Sequence, residues 1–99
     1  MKIYVLSGPY EGNVYEFDYD IVIGRDSSVD LSFALDLSIS RKHLKISQKG
    51  KSILLEDLNS TNGTFIIQKG KTEKIQGSRE ITNFPLFLKI GNSAILIEI

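Results

Sequence analysis

The sequence predicts a single all-β domain of the sandwich or barrel kind, and three observations carry that expectation. Its 14 Ile and 4 Val stand against only 2 Ala, and branched side chains pack well on a pleated sheet but lose rotamer freedom in a helix. Apolar and polar residues alternate in short runs bounded by Gly, Pro, Asn and Asp, the punctuation of many short strands. A chain of 99 residues fills one core and leaves nothing for a second, so one domain spans residues 1–99. No segment carries a helical stripe.

Taken in order, Ile3 to Leu6 reads as a first strand closed by Gly8-Pro9, Val14 to Phe17 as a second, and Ile21 to Ile23 as a third ending at Gly24. Residues 26–40 are rich in Ser and Asp and read as loop. Residues 43–58 form a hairpin: Leu44-Lys45-Ile46-Ser47 alternates into Gln48-Lys49-Gly50, and Ser52 to Leu58 returns. Alternation assigns Leu44, Ile46, Leu55 and Leu58 to the core. Asn62-Gly63 is a tight-turn dipeptide, Thr64 to Ile67 gives another strand, and Leu86 to Ile90 turns through Gly91-Asn92 into Ala94 to Ile99. Gln68 to Pro85 shows no readable period. With no repeats, linkers or low-complexity tracts, function falls to the loops of one β scaffold.

Composition narrows the function. With 41% apolar residues, no Cys and no Trp, the chain is globular rather than disordered, disulfide-stapled or membrane-spanning. Its 12 basic and 12 acidic residues cancel, which argues against a bulk nucleic-acid binder. The balance is uneven along the chain: residues 1–36 carry a net −5 and residues 37–99 a net +5. Arg41, Lys42, Lys45, Lys49 and Lys51 form a basic run, whose ordinary reading is a solvated strand face. A nucleic-acid interface there would need interleaved aromatics, which the run lacks. The apolar stretch after Met1 stops at Gly8-Pro9, too short for a targeting core, and no run approaches a membrane span. The expectation is a cytoplasmic protein. Met1 suggests a true start, whereas the apolar end at Ile99 suggests a domain cut from a longer protein.

Most site chemistries fail on inspection. One His and no Cys leave no zinc set, and no metal or cofactor is expected. Asp26-Ser27-Ser28-Val29-Asp30 spaces oxygen ligands like a calcium loop, but the turn glycine is Leu31 and the closing acid is Leu37. Gly50-Lys51-Ser52 and Gly70-Lys71-Thr72 end like phosphate-binding loops of nucleotide hydrolases, yet Lys45 and Phe65 stand where the first glycine belongs. Ser40, His43 and Asp57 supply the residue types of a hydrolase triad without a nucleophile elbow. No enzyme is expected. Asn59-Ser60-Thr61 and Asn62-Gly63-Thr64 are formal glycosylation sequons that mean nothing without secretion.

Three donor-rich loop segments remain: Gly24-Arg25-Asp26, Ser40-Arg41-Lys42-His43, and Asn59-Ser60-Thr61-Asn62-Gly63-Thr64. In order and spacing they resemble the forkhead-associated (FHA) family over residues 21–67. The resemblance implies a twisted antiparallel β-sandwich of two sheets and about eleven strands, with its loops gathered at one end, reading phosphothreonine in partner proteins. It implies that Arg25 contacts the phosphate, that Ser40 donates a hydroxyl to it, and that Arg41 adds a second cation. It further implies that Thr61 lines the pocket, that Asn62 holds the peptide backbone, and that His43 works inside the loops. Preference three residues beyond the phosphothreonine varies across the family, with Leu37, Ser38 and Ile39 as candidate contributors here. Two segments depart from the family pattern: Ile67-Gln68-Lys69-Gly70, where Asn-Gly is common, and Thr82-Asn83-Phe84-Pro85, where Gly-Asp is common.

The residue chemistry agrees with that role. A phosphate monoester near neutral pH is almost a dianion with three acceptor oxygens, best met by guanidinium forks and hydroxyl donors. Each residue also has an ordinary reading. Arg25 could pair with Asp26 or Asp30, Ser40 could cap a turn, Thr61 could bond its own loop, and Asn62-Gly63 could close a hairpin. The primary expectation is a non-catalytic phosphothreonine adaptor using Arg25, Ser40, Arg41, Thr61 and Asn62. The competing one is a phosphate-independent scaffold or oligomerisation module on the same fold.

Overall fold

The computed structural model describes residues 1–99 and contains eleven strands and no helix. These are β1 (Lys2–Ser7), β2 (Val14–Glu16), β3 (Ile21–Gly24), β4 (Leu31–Ser32), β5 (Leu44–Lys49), β6 (Ser52–Asp57), β7 (Thr64–Gln68), β8 (Lys71–Lys74), β9 (Ser78–Ile81), β10 (Leu86–Ile90) and β11 (Ser93–Glu98). They form a six-stranded sheet in the order β2-β1-β11-β10-β7-β8 and a five-stranded sheet in the order β4-β3-β5-β6-β9.

Period-two patterning drives the sandwich. In β10, Leu86, Leu88 and Ile90 are buried while Phe87 and Lys89 face out. Ile95 and Ile97 of β11, Ile3 and Val5 of β1, and Ile66 of β7 extend the same inner face. The opposing face comes from Ile21 and Ile23, Leu44 and Ile46, and Ile53 and Leu55. Side chains from both faces interlock in one core, joined by Phe33 and Ile39 from the loops.

Strand register gathers the loops. Ile23 near the end of β3 pairs with Leu44 at the start of β5, and Leu44 pairs with Asp57 at the end of β6. In the other sheet, Ile90 at the end of β10 pairs with both Thr64 and Ser93. The β3–β4, β4–β5, β6–β7 and β10–β11 connections therefore emerge at one end, and residues 58–63 cross from the first sheet to the second.

Several expectations need correcting. The stretch read as loop, residues 26–40, contains β4, which pairs parallel to β3 through Ile23 with Leu31 and Gly24 with Ser32; the sandwich is antiparallel everywhere else. Two residues on a sheet edge leave no alternation to read. Leu58 lies beyond β6 and is only half-buried: its N–H donates to His43 O at 2.9 Å in continuation of the β5–β6 register, which puts its side chain on the face of Leu54 and Glu56, opposite Ile53 and Leu55. Asn62-Gly63 closes no hairpin, since β6 and β7 lie in different sheets; Gly63 alone is left-handed, at φ 85°. The unreadable segment holds β8 and β9. Every residue of β8 is exposed, so its Lys71-Thr72-Glu73-Lys74 carries the charge of an edge strand and no core signal.

Gln68 pairs with Lys71 across a two-residue turn in which Lys69 (φ 49°) and Gly70 (φ 76°) are both left-handed. The departure from Asn-Gly thus keeps the usual hairpin geometry and carries Lys where Asn fits better. Lys69→Asn should add roughly 0.5 kcal/mol and raise the melting temperature by about 2–4 °C. Calorimetry showing an unchanged or lower melting temperature would contradict this turn geometry.

Candidate functional site at the loop end

Arg25 directly follows β3 and is half-buried. Its backbone N–H donates to Ser40 O at 3.0 Å and its Nε donates to Ile39 O at 3.0 Å. The guanidinium is thereby oriented by one nitrogen, and its two Nη groups make no bond within the chain. The only ion pair in the protein joins Arg79 to Glu73, so Arg25 pairs with neither Asp26 nor Asp30. Asp30 instead accepts the Val22 N–H at 2.8 Å. Gly24 is required by close approach and not by a turn: its φ is ordinary, but a Cβ there would stand 2.0 Å from the Arg41 carbonyl oxygen.

His43 is wholly buried and joins two loops. Ser40 N–H donates to Nδ1 at 3.0 Å, which makes Nδ1 the acceptor, so Nε2 carries the proton and donates to Gly63 O at 2.9 Å. Beside it, Thr61 N–H donates to Ser40 Oγ at 2.9 Å. Ser40 accordingly caps no turn of its own; its oxygen is held from across the site and its hydroxyl hydrogen is free to point outward. Asn62 Nδ2 donates to Ser38 O at 2.9 Å, leaving its second N–H and its Oδ1 for another partner. Arg41, Thr61 and Asn62 are exposed. The chain thus brings Arg25, Ser40, Thr61 and Asn62 into one bonded network, with Arg41 joined through its backbone.

Two aspartates that the sequence reading left out of the contact set brace this arrangement. Asp57 accepts Ser60 Oγ at 2.6 Å, Thr64 Oγ1 at 2.8 Å and Ser60 N–H at 3.0 Å. Ser60 Oγ in turn accepts Gly63 N–H at 3.0 Å. Asp36, buried to 1% exposure, accepts Ser93 Oγ at 2.6 Å, Ser38 N–H at 3.1 Å and Asn92 N–H at 3.0 Å. It staples the β4–β5 loop to the β10–β11 turn. Gly91 is tightly enclosed there, since a Cβ would meet Ile39 Cγ1 at 2.5 Å. Ile39 itself is buried in the core, which removes its side chain from the candidate peptide contacts; Leu37 is exposed and Ser38 offers its carbonyl to Asn62. Sequence separation hid the Asp36 brace, because Asp36 and Ser93 lie 57 residues apart; the Asp57 brace is local, its partners Ser60 and Thr64 lying 3 and 7 residues on.

Hydrogen bonds at the loop end keep two carboxyls in their charged form. Burial disfavours charge on Asp57, but hydrogen bonds from Ser60 and Thr64 outweigh it and hold the carboxyl below its ordinary value of 3.8. The Ser28 N–H holds Asp26 low as well, against the opposing effect of burial and with lesser help from the Ser28 hydroxyl and from Arg41 and Lys42. Both acids are thus committed as acceptors, and Arg25, Arg41 and Lys42 form no close ion pair, although Arg41 and Lys42 lie within electrostatic reach of Asp26.

The FHA domain family model matches residues 21–83, nearly two thirds of the chain, and the chain belongs to that family. The FHA domain-containing protein FhaA of Mycobacterium tuberculosis is 50% identical over 46 residues, which are 46% of this chain and 8% of that protein. The chain therefore corresponds to a small part of that relative's length. The FHA domain of CT664 from Chlamydia trachomatis superimposes with a TM-score of 0.81 at 28% identity, covering 96% of this chain and 92% of that one. A domain solved in a study of phosphothreonine-dependent FHA domain interactions superimposes with a TM-score of 0.77 at 27% identity, covering 96% and 91%.

The lowered Asp57 value fixes a pH dependence. A carboxyl depressed on folding contributes stability that is complete above its unfolded value near 3.8 and is lost as pH falls through the lower folded value. Urea unfolding of wild type should weaken below about pH 3.8 more steeply than that of Asp57→Asn. Equal slopes for the two proteins would show that folding does not depress the Asp57 carboxyl.

Proposed function

We propose that this domain is a non-catalytic reader of phosphothreonine in partner proteins, working in cytoplasmic signalling. The observation that carries the reading is the fixed cluster in which the Arg25 fork, the Ser40 hydroxyl and the Asn62 amide are each held by one bond and left with donors to spend. A phosphate with three acceptor oxygens suits the first two, and a peptide backbone, offering one donor and one acceptor per residue, suits the third.

On this reading Arg25 and Ser40 take the phosphate oxygens, with Arg41 as a second, exposed cation. Thr61 lines the pocket and Asn62 pairs with the peptide main chain. The loops need little reordering, so less of the binding energy is spent on fixing side chains. Threonine would be preferred to serine where its extra methyl meets an apolar niche, worth about 0.8 kcal/mol.

The test is fluorescence anisotropy with phosphothreonine peptides, alongside phosphoserine and unphosphorylated controls. Hydrogen bonds to a charged group contribute about 1.5–3 kcal/mol, so Arg25→Ala should weaken phosphopeptide binding by roughly ten- to a hundredfold. Partner association that ignores both the phosphate and Arg25→Ala would sink the reading and favour a phosphate-independent scaffold.

A further inference from the structure

The geometry points to Lys74 as a further ligand-contacting residue of this site, one that selects an acidic side chain flanking the phosphothreonine. The inference rests on the phosphopeptide reading and adds to it a determinant of peptide choice.

Lys74 ends β8 and stands opposite Phe65 of β7. From there its side chain runs back over Gly63. A Cβ placed on Gly63 would stand 2.8 Å from Lys74 Cε, 3.4 Å from Lys74 Cδ and 3.4 Å from Phe65 Cε2. The absence of a side chain at Gly63 thus leaves the berth that the lysine stem occupies. That berth is fixed, because the Gly63 carbonyl is held by His43 and its N–H by Ser60. Gly63 directly follows Asn62, so the lysine stem passes beside the residue assigned to the peptide main chain.

The charge of Lys74 is unspent. Its neighbour Glu73 is taken by Arg79 at 2.8 Å, and Lys74 Nζ makes no hydrogen bond or ion pair within the chain. Next to it, a shallow polar hollow lies between the β6–β7 and β8–β9 connections, lined by Asn59, Ser60, Gln76 and Lys74 together with Asp57. The Asp57 carboxylate keeps its charge but directs its lone pairs to Ser60 and Thr64, so Lys74 is the lining group able to ion-pair with an incoming carboxylate, with the amides of Asn59 and Gln76 around it as neutral donors. An Asp or Glu side chain on the peptide fits that chemistry, and a Lys or Arg would meet like charge. A lysine that merely solvates an edge strand would run outward; this one is laid along the glycine.

The experiment uses a phosphothreonine peptide with uncharged flanks and a series in which Glu replaces one flanking residue at a time, read by anisotropy at low salt. An exposed ion pair is worth a few-fold, so wild type should gain roughly three- to fivefold from Glu at one position. Lys74→Ala should abolish that gain, and Lys74→Glu should turn it into a loss. Lys71→Ala should leave it intact, since Lys71 sits about 10 Å away along the same strand. A gain that survives Lys74→Ala overturns the inference, as does the lack of any gain in a wild type whose neutral peptide still needs Arg25. Neutral-peptide binding that is indifferent to Arg25→Ala overturns the phosphopeptide reading itself, and so separates the two failures.

Discussion

The buried imidazole of His43 is the constraint on which the loop end depends. It receives the Ser40 N–H on one nitrogen and donates to Gly63 O from the other, tying a loop that leaves one strand of the five-stranded sheet to the crossing between the two sheets. Removing the ring would strand a buried donor and a buried acceptor, at a cost of about 1–3 kcal/mol each, a large share of the stability of a domain this size. The bond to Ser40 also sets where the Ser40 hydroxyl stands, and the bond to Gly63 sets where Asn62 and the Lys74 stem stand. A residue that touches no ligand on this account thereby positions those that would.

Around that strut the fold repeats one device, a buried or half-buried polar group that closes a long loop without spending the side chains on the rim. Asp57 closes the β6–β7 connection and Asp36 closes the β4–β5 connection against the β10–β11 turn. Every buried side-chain nitrogen and oxygen is partnered, as a network of this kind must be if it is to stabilise the loops. Close backbone approaches complete it: Gly24 under the Arg41 carbonyl and Gly91 under Ile39. The result is a rim whose groups each keep one bond to the scaffold and the rest for a partner, which is preorganisation expressed as a hydrogen-bond count.

Alternation made the strands with one buried face legible. The pattern of β10 and the hairpin of β5 and β6 are plain because every second residue is apolar. It failed where strands lie at edges: β4 is two residues long and β8 is exposed throughout, so neither carries a period. Leu58 shows a different error, since it is three residues from Leu55 and so falls on the other face of the strand line. The site itself was legible only through the resemblance, because bonds such as Thr61 to Ser40 span 21 residues and leave no local trace. Lys74 escaped the sequence reading for the same reason: it lies in the segment without a period, and what singles it out is its approach to Gly63 in space.

The loop end is set before any ligand arrives, through His43 with Nδ1 accepting and its proton on Nε2. Long-range 1H–15N correlation of the His43 ring in the free protein near neutral pH tests it directly. The expected result is a single Nε2–H tautomer with Nδ1 accepting, unchanged when a phosphothreonine peptide is added. A ring that averages between tautomers in the free protein, or that carries its proton on Nδ1, would contradict it.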